Sequence, residues 1–330
     1  MVLANRPAAP GRRIPRPLPR LILASVALVA LVLFARLPPW PKYWVVLGNA
    51  AHAPVFGILA VICLLVLAAL TRSRSTSLVP LAFLITVAGG IGVEWLQTFV
   101  GRDASWDDVV TDALGAACAL AFVLWRPGAS MPSPGRLTRG LALVVMLTCA
   151  AGILYPLAEA GAAYSRRTSL LPALAQFNTP LDLYFVEPKG VSIVPERLPD
   201  NWGSPVDPIS LRVNVIGGSY PGVAFTEPVR NWRSWSVLKV DVTNPDARPL
   251  YFNVRVHDVA HRVHYDDRFN RRFEIDGSTR TTISIPLQDI QQGPKSRVLD
   301  LAAIAGIIVF TDGPSATFGR QFYLTRIWLE

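Results

Sequence analysis

The chain has 330 residues, of which 51% are hydrophobic, and a formal net charge of +9. Its positive mean hydropathy is too high for an ordinary soluble protein. Residues 1–174 contain 15 Lys and Arg against 6 Asp and Glu, whereas residues 175–330 contain 17 of each. A nucleic-acid-binding domain would concentrate basic residues on its folded, aromatic-rich part, so the neutral second half argues against a nucleic-acid partner. All three cysteines lie in the first half, which excludes a disulfide framework or thiolate metal site in the second.

Five apolar segments are predicted in the first half, at residues 20–37, 45–70, 78–100, 106–125 and 139–158. A helix needs about 20 residues to cross about 30 Å of hydrocarbon, and four segments meet that length. The first segment is marginal and follows the basic stretch RRIPRPLPR, so a cleaved signal peptide is an alternative. No small-x-small cleavage site follows it. We therefore expect an α-helical membrane bundle of about five transmembrane helices.

The basic residues predict the orientation of this bundle. Ten of the 15 basic residues fall on segments that a cytoplasmic N-terminus places inside the cell. An odd number of crossings then puts the rest of the chain outside, as expected for a bacterial cytoplasmic (inner) membrane protein. The expected divisions are a disordered cytoplasmic tail over 1–19, a transmembrane domain over 20–160, a linker leading into the first strands over 161–199, and an extracytoplasmic β-sandwich over 200–330.

Polar residues interrupt the apolar segments at one predicted depth, the outer leaflet. An ionised side chain in hydrocarbon costs several kcal/mol unless it meets a partner or water, so these residues are expected to face each other inside the bundle. The predicted cluster consists of His52, Glu94, Gln97, Arg102, Ser105, Asp108 and Asp112. The alternatives are a solvated loop in which Asp107 and Asp108 cap the next helix, and a His52 that merely satisfies a helix interface.

The spacing of these residues resembles a known family. His52, Glu94-x-x-Gln97 and the series Arg102, Ser105, Asp108, Asp112, Gly115 look like the signature of VanZ-like bacterial membrane proteins. The resemblance covers about residues 20–126. The family is named after a protein linked to resistance to glycopeptide antibiotics, and the resemblance implies no established reaction. The family pattern usually has Asn at the position of Asp112. This chain also differs from the smallest family members by an extra helix and an outer domain.

The predicted cluster permits three roles. Its carboxylates, imidazole and guanidinium suffice for acid–base catalysis or for holding a phosphate, as in a lipid-linked glycan or polyprenyl phosphate. Purely structural polar packing is the third possibility. The sequence contains no metal-binding motif, nucleophile elbow or phosphate-binding glycine loop. It therefore predicts no cofactor and no metal ion.

From about residue 175 the sequence predicts strands. Short runs such as SVLKVDVT, LYFNVRVH, TTISIPL and QFYLTRIWLE are rich in β-branched and aromatic residues and are separated by turn residues. Phe252, Val254 and Val256 alternate with Asn253, Arg255 and His257, which indicates one buried and one exposed face. We expect an all-β jelly-roll sandwich.

The segments GGSYPGVAF, WRSWSVLKVDVTN, VRVHD and DDRFN and the closing FYLTRIWL resemble the galactose-binding-like jelly rolls found as carbohydrate-binding modules. The resemblance covers about residues 200–330 and implies sugar binding on exposed aromatic side chains beside polar groups. The candidate residues are Trp202, Tyr220, Trp232, Trp235, His257, Asp258, His261, Tyr265, Asp267 and Arg268. For each aromatic residue, burial in the core or rim is the alternative.

The stretch HDVAHRVHYDDRFNRRF contains three of the four histidines of the chain. His257, His261 and His264 with Asp258, Asp266 and Asp267 offer metal-ligand chemistry, but zinc sites usually fix their ligands by helical spacing or paired short motifs. This segment is a loop leaving a strand. A sugar-binding or partner-binding loop and a hydrogen-bonded structural loop are therefore the preferred interpretations.

Two classes of function remain. The first, which we favour, is a non-enzymatic envelope protein that binds envelope glycan or exopolysaccharide through its outer sandwich and a lipid-linked saccharide or phosphate-bearing ligand in the membrane. The second is a membrane enzyme that modifies or releases a lipid-linked saccharide, using Glu94, Asp108 and His52. The lipid bilayer is a partner in both cases.

Overall fold

A computed structural model of the chain describes residues 18–35, 37–38, 40–73, 75–101, 104–126, 134–204, 207–262, 264–311 and 318–330. It contains two compact units, Met1–Ala158 and Glu159–Glu330. The first unit is helical, and the second is built mainly from antiparallel strands. This confirms the predicted fold class. Of the tail expected over 1–19, residues 1–17 lie outside the described residues.

Five helices are found among the described residues of the first half: α1 (Leu18–Phe34), α2 (Lys42–Thr71), α3 (Leu78–Phe99), α4 (Trp106–Trp125) and α5 (Arg136–Ser169). Helices α2 to α5 are long and apolar enough to cross a membrane, as judged from length and composition. Helix α1 has 17 residues and is shorter than the other four. The chain is therefore a membrane protein with four long apolar helices and a short one.

Small residues allow α2 and α4 to pack closely. A Cβ atom on Gly115 would overlap the backbone carbonyl of Ala53, and one on Gly57 would lie 3.1 Å from the carbonyl oxygen of Gly115. Without a hydrophobic force between helices in lipid, such backbone contact is a main source of helix association. The contact at Ala53 brings the preceding residue, His52, against α4.

Gly90 lies where helix α3 approaches α2 and α4 most closely among its glycines. A Cβ atom on Gly90 would lie 2.9 Å from Oδ2 of Asp112 and 3.3 Å from the ring of Phe56. Gly89 and Gly92 of the same helix make no such contact, because no described atom outside α3 lies within 4 Å of a Cβ placed at either residue.

The second unit is a sandwich of two antiparallel sheets. Its strands are β1 (Ala173–Ala175), β2 (Val186–Lys189), β3 (Val191–Glu196), β4 (Ser210–Val215), β5 (Gly222–Thr226), β6 (Val237–Asn244), β7 (Leu250–Asp258), β8 (Phe269–Ile275), β9 (Thr279–Pro286), β10 (Ile304–Thr311) and β11 (Gln321–Leu329). One sheet has the order β3-β4-β11-β6-β9, with β1 also paired to β11, and the other has the order β2-β5-β10-β7-β8. A short helix, α6 (Leu287–Gln291), follows β9.

A core of aliphatic and aromatic side chains lies between the two sheets. Strand β7 contributes Leu250, Phe252, Val254 and Val256, all fully buried. This burial confirms the alternation read in the sequence, and it turns the remaining side chains of β7 away from the core. Asn253, Arg255 and His257 therefore lie on the other face of this sheet.

Residues 161–199 are not the linker that their prolines suggested. Helix α5 continues to Ser169, and β1, β2 and β3 all lie in this segment as members of the two sheets. The guanidinium of Arg166 pairs with Asp182 at 2.7 Å, and the hydroxyl of Tyr164 donates to Glu227. These contacts lie within the second unit, which begins at Glu159 and so includes the end of α5. The strands of this segment form because pairing with distant strands outweighs the local turn preference of proline.

Candidate functional site

The helical unit brings a buried polar cluster together from three helices. His52 on α2, Glu94 on α3, and Asp108 and Asp112 on α4 are each at most 7% exposed. Nδ1 of His52 and Oδ1 of Asp112 lie 3.1 Å apart. Residues 60 positions apart are joined in this way because Gly115 allows α2 and α4 to touch. We call His52, Glu94, Asp108 and Asp112 the buried acidic cluster.

Glu94 is fixed at the start of α4. Its Oε2 accepts a hydrogen bond from the backbone N–H of Ser105 at 2.9 Å. Ser105 is the N-cap residue, and its hydroxyl accepts a hydrogen bond from the N–H of Asp107. The capping role considered for Asp107 and Asp108 therefore belongs to Ser105. Asp107 is exposed, whereas Asp108 is buried and belongs to the cluster.

Several polar atoms of this region have no hydrogen-bond partner among the described residues. They are Oε1 of Glu94, Oδ1 of Asp108, Oδ2 of Asp112, and both side-chain polar atoms of Gln97. Gln97 is completely buried one turn after Glu94. Leaving such groups unpaired costs about 1–3 kcal/mol each, and more for charged groups. Arg102, predicted as a member of the cluster, lies outside the described residues.

Three members of the cluster lie close enough to hold a metal ion. His52, Glu94 and Asp108 each offer one ligand atom, and the three atoms lie within 4.8 Å of one another. The sequence showed no such site because its motifs rely on short spacings, whereas these ligands come from three helices.

The second candidate site lies on the outward face of the five-stranded sheet. Asn253, Arg255 and His257 of β7 point away from the core, and Asn270 of β8 is the register partner of Arg255. His257 lies opposite Gly306 of β10, where a Cβ atom would come within 2.5 Å of the imidazole ring. Only glycine at that position lets the ring lie against the strand.

A hydrogen-bonded chain organises this face. Nη2 of Arg255 lies 3.0 Å from Nε2 of His261, and Nδ1 of His261 lies 3.0 Å from the carbonyl oxygen of Asp267. Because a guanidinium can only donate and a carbonyl can only accept, His261 carries its proton on Nδ1. The rings of His257 and His261 are 5.1 Å apart. We call Arg255, His257, His261, Arg268 and Asn270 the basic face.

Burial keeps both imidazoles of the basic face neutral at physiological pH. Loss of solvent, reinforced by the positive charge of Arg255, lowers the pKa of His257 to about 4. The pKa of His261 is also lowered, mainly by burial. Burial and the nearby charge of Arg268 lower the pKa of Arg255 to about 10, so this guanidinium remains charged. The positive charge of the face therefore comes from its arginines.

Unpaired polar atoms converge on the basic face. Among the described residues, Nε of Arg255, Nε of Arg268, Nδ1 of His257 and Oδ1 of Asn270 are buried without a hydrogen-bond partner. The exposed aromatic ring of Tyr265 lies near these atoms. Tyr265 is 63% exposed, its hydroxyl accepts from Asn270 at 3.1 Å, and the guanidinium of Arg268 lies over its ring. The arrangement combines polar groups with an accessible ring, as a saccharide requires.

Two predicted sugar-binding carboxylates serve the fold instead. Asp258 has a side chain that is 1% exposed and is paired with both terminal nitrogens of Arg297, at 2.6 and 2.7 Å. Asp267 also pairs with Arg297 and accepts a hydrogen bond from the N–H of Arg262 at 2.8 Å. Both carboxylates are therefore engaged by the single guanidinium of Arg297.

The predicted aromatic residues divide between core and surface. Trp232 is completely buried and donates its indole N–H to the carbonyl of Val229, so its prediction as a sugar-facing residue is wrong. Trp235 is partly buried against the core, and Trp202 is partly buried in a loop. Tyr220 is 70% exposed and packs edge to face on Phe310 of β10. Large aromatic residues in a short-stranded domain fill the core first, because they bury the most apolar area.

Sequence reasoning missed Arg255 and Asn270 as site residues. The alternation of side chains in β7 places Arg255 on the same face of the sheet as His257. This alternation was therefore sufficient to predict Arg255 as a site residue. No local sequence pattern predicts the position of Asn270, because the register of β7 and β8 places it opposite Arg255. The same holds for Arg297, which pairs with the distant Asp258.

The second unit is similar to several solved structures, with low scores. An exo-beta-agarase has 16% identity and a TM-score of 0.38; the match covers 48% of this chain but only 25% of the agarase chain. The family 11 carbohydrate-binding module of a cellulosomal cellulase of Clostridium thermocellum has 18% identity and a TM-score of 0.33, covering 48% of this chain and 92% of the module. A xylan-binding domain of a family 22 carbohydrate-binding module has 11% identity and a TM-score of 0.31, covering 47% and 90%.

No curated protein sequence matches the chain. A family model does match its helical part. The VanZ/LLP1 model covers residues 16–126, which include α1 to α4 and the whole buried acidic cluster. This match confirms the resemblance inferred from the spacing of polar residues. The helical unit is therefore similar to the VanZ/LLP1 family over residues 16–126.

Proposed function

We propose that this protein is a bacterial cell-envelope membrane protein whose sandwich binds a glycan on the basic face. The observation that carries the proposal is the convergence there of unpaired polar atoms with the exposed ring of Tyr265. A pyranose stacks its apolar side on such a ring, and its hydroxyl groups form hydrogen bonds with polar groups beside the ring. Localisation in the cytoplasmic membrane, with the N-terminus inside and the sandwich outside, belongs to this proposal.

The charge of the basic face favours an acidic saccharide. Both imidazoles are neutral, and the three positive charges of Arg255, Arg268 and Arg297 exceed the two negative charges of Asp258 and Asp267 that pair with Arg297. Guanidinium groups bind carboxylates through charge-assisted hydrogen bonds, which are roughly twice as strong as neutral ones. We therefore propose that the glycan contains a uronic acid or another anionic sugar.

The buried acidic cluster is proposed to receive a lipid-linked or phosphate-bearing ligand in the outer leaflet. Support comes from an apolar groove in the same unit that begins at Ala53, immediately after His52, and continues along Gly57 and Ile58 on α2 and Phe122 on α4. A polyprenyl chain fits such a lining by chemistry, and its head group would lie beside His52.

A second candidate function is enzymatic. Its support is the contact between Nδ1 of His52 and Asp112, with Glu94 and Asp108 on neighbouring helices. A histidine oriented by a carboxylate is a common arrangement in general acid–base catalysis. The substrate would be a lipid-linked saccharide, modified or released at the membrane surface.

The test of glycan binding uses the full chain in lipid nanodiscs and a matched pair of ligands. Binding of a uronic-acid oligosaccharide is compared with binding of the same oligosaccharide after reduction of its carboxyl groups. We expect the acidic form to bind at least about tenfold more tightly, since a charged hydrogen bond contributes about 1.5–3 kcal/mol.

Variants locate the binding site. The double variant R255Q/R268Q is expected to lose the preference for the acidic oligosaccharide. The control is R233Q, which removes an exposed guanidinium paired with Asp300. Equal binding of both ligands by the wild type would reject the acidic preference. No binding of either, or of other envelope glycans on an array, would reject the glycan proposal.

The enzymatic alternative has its own readout. E94Q and D108N are introduced into the producing cell, and the profiles of lipid-linked saccharides are compared with those of wild type at matched protein level. An altered profile favours chemistry, and an unchanged profile favours binding without reaction.

A further inference from the structure

The buried acidic cluster has the composition of a metal site. One imidazole and two carboxylates, from His52, Glu94 and Asp108, place their ligand atoms within 4.8 Å of one another. The three residues come from three different helices, α2, α3 and α4, which meet at this cluster. All three side chains are more than nine-tenths buried.

The unpaired oxygens of the cluster are the second observation. Oε1 of Glu94 and Oδ1 of Asp108 are buried without a hydrogen-bond partner, and neither residue forms an ion pair with a Lys or Arg of the described residues. Moving an unpaired carboxylate out of water costs several kcal/mol, and buried charges are generally paired or bound to metals. A divalent cation between Glu94 and Asp108 would satisfy both atoms.

Supporting contacts orient the ligands in the way metal sites require. Asp112 lies 3.1 Å from Nδ1 of His52, which leaves Nε2 of the imidazole for an ion. Metal-bound histidines commonly donate their other ring N–H to a carboxylate, which fixes the tautomer and the ring orientation. The N–H of Ser105 holds one oxygen of Glu94 and leaves the other unpaired.

We propose that His52, Glu94 and Asp108 bind one divalent first-row transition metal ion, such as Zn²⁺ or Mn²⁺. A mixed set of imidazole nitrogen and carboxylate oxygen suits these ions, whereas Mg²⁺ and Ca²⁺ prefer oxygen ligands alone. Asp112 is a positioning residue that acts through His52. This proposal departs from the absence of a metal expected from sequence spacing.

Three protein ligands leave at least one coordination position open. Catalytic zinc sites have this arrangement, with water or substrate in the fourth position. Here a phosphate oxygen of the proposed lipid-linked ligand would take it, which explains how a cluster rich in carboxylates accepts an anion. This phosphate step rests on the proposed function of the membrane region. The binding of the ion does not depend on that proposed function.

Metal content of the full chain tests the ion. The protein is purified in lipid nanodiscs with a tag free of histidine, stripped with a chelator, equilibrated with Zn²⁺ or Mn²⁺ and freed of excess ion. Inductively coupled plasma mass spectrometry then gives the ratio of metal to protein. We expect about one ion per wild-type chain, since one such set of three ligands is found among the described residues.

Variants assign the ligands. E94Q and D108N keep the shape of each side chain but remove a metal-binding charge, and both are expected to lose stoichiometric metal. D107N is the matched control, because Asp107 lies next to Asp108 in α4 but is exposed. D112A is expected to weaken affinity about 10- to 100-fold, the usual effect of removing a carboxylate that orients a histidine ligand.

The wild type shows whether an ion binds, and the melting temperature of each variant in nanodiscs separates loss of a ligand from loss of the fold. Wild-type protein that retains no stoichiometric metal overturns the proposal, as does equal retention by E94Q, D108N and D107N. Cobalt-loaded D112A should show a shifted visible spectrum, and an unchanged spectrum would overturn its positioning role.

The phosphate step has a separate arm. A polyprenyl phosphate is added to the nanodiscs, and its binding is compared with and without the metal. Metal-dependent binding supports the step. Metal binding without lipid binding overturns the phosphate step and the proposed membrane ligand, while the ion site stands.

Discussion

Arg297→Met tests how the loop beside the basic face is held. In the wild type, Arg297 donates to both carboxylate oxygens of Asp258, to the carbonyl of Asp267 at 3.1 Å, and to the Asp267 carboxylate. The side chain of Asp258 is 1% exposed, and that of Arg297 is 25% exposed. Methionine keeps the length of the side chain but leaves the Asp258 carboxylate buried without its cation.

The expected loss follows from this geometry. Removing one partner of a buried ion pair costs about 3–5 kcal/mol. The N–H of Asp300 still donates to Asp258 at 2.9 Å, and Arg297 is partly exposed, so we expect the lower end, about 3 kcal/mol. For a unit of this size, that corresponds to a fall in melting temperature of roughly 6–12 °C.

Urea unfolding of residues 159–330, followed by tryptophan fluorescence, measures the loss. The matched control is R233M, which breaks an ion pair to Asp300 whose side chains are 66% and 50% exposed. Exposed pairs contribute about 0–1 kcal/mol, so the control should remain close to wild type.

The pH dependence gives a second check. Burial alone would raise the pKa of Asp258, but hydrogen bonds from Arg297 and from the N–H of Asp300 outweigh burial and lower it. A lowered pKa in the folded state stabilises above the unfolded value of about 3.9 and is lost as the pH falls. The deficit of R297M should therefore persist from pH 7 down to about pH 4 and shrink as the pH falls below that value, where the wild type loses this stabilisation. A loss equal to that of R233M, or one independent of pH, would refute this reasoning.

Three further predictions concern packing and titration. Gly115→Ala places a methyl group against the carbonyl of Ala53 and should lower the melting temperature of the chain in nanodiscs, at a cost of about 1–3 kcal/mol; an unchanged melting curve would contradict the α2–α4 contact. Trp232→Ala should cost about 3–5 kcal/mol in urea unfolding because the ring is fully buried, whereas the exposed Tyr265→Ala should cost under about 0.5 kcal/mol; similar losses would contradict their placement. Folding lowers the pKa of His257 from 6.5 to about 4. Between these pH values the unfolded chain binds a proton at His257 and the folded chain does not, so stability falls as the pH drops through this range. H257Q should flatten that part of the stability profile, and a wild-type slope in the variant would reject the assignment.

Local pattern in the sequence determined the two-part architecture. The apolar segments predicted α2 to α5 to within a few residues at most ends, and alternation predicted strands such as β6, β7 and β11. Hydropathy and side-chain alternation are properties of neighbouring residues, so they survive without a structure. The same spacing placed Glu94 with Gln97, and Asp108 with Asp112, on common helix faces.

Only the tertiary structure decided which of these faces meet. The pairing of His52 with Asp112, the approach of Glu94 to Asp108, and the register of Arg255 with Asn270 depend on helix packing and strand pairing between distant residues. Burial also corrected the sequence in the sandwich, where Trp232 fills the core and Asp258 closes a loop with Arg297. A sequence specifies how polar each position is, whereas the ligand-binding chemistry of a site depends on distances that exist only after the chain has packed.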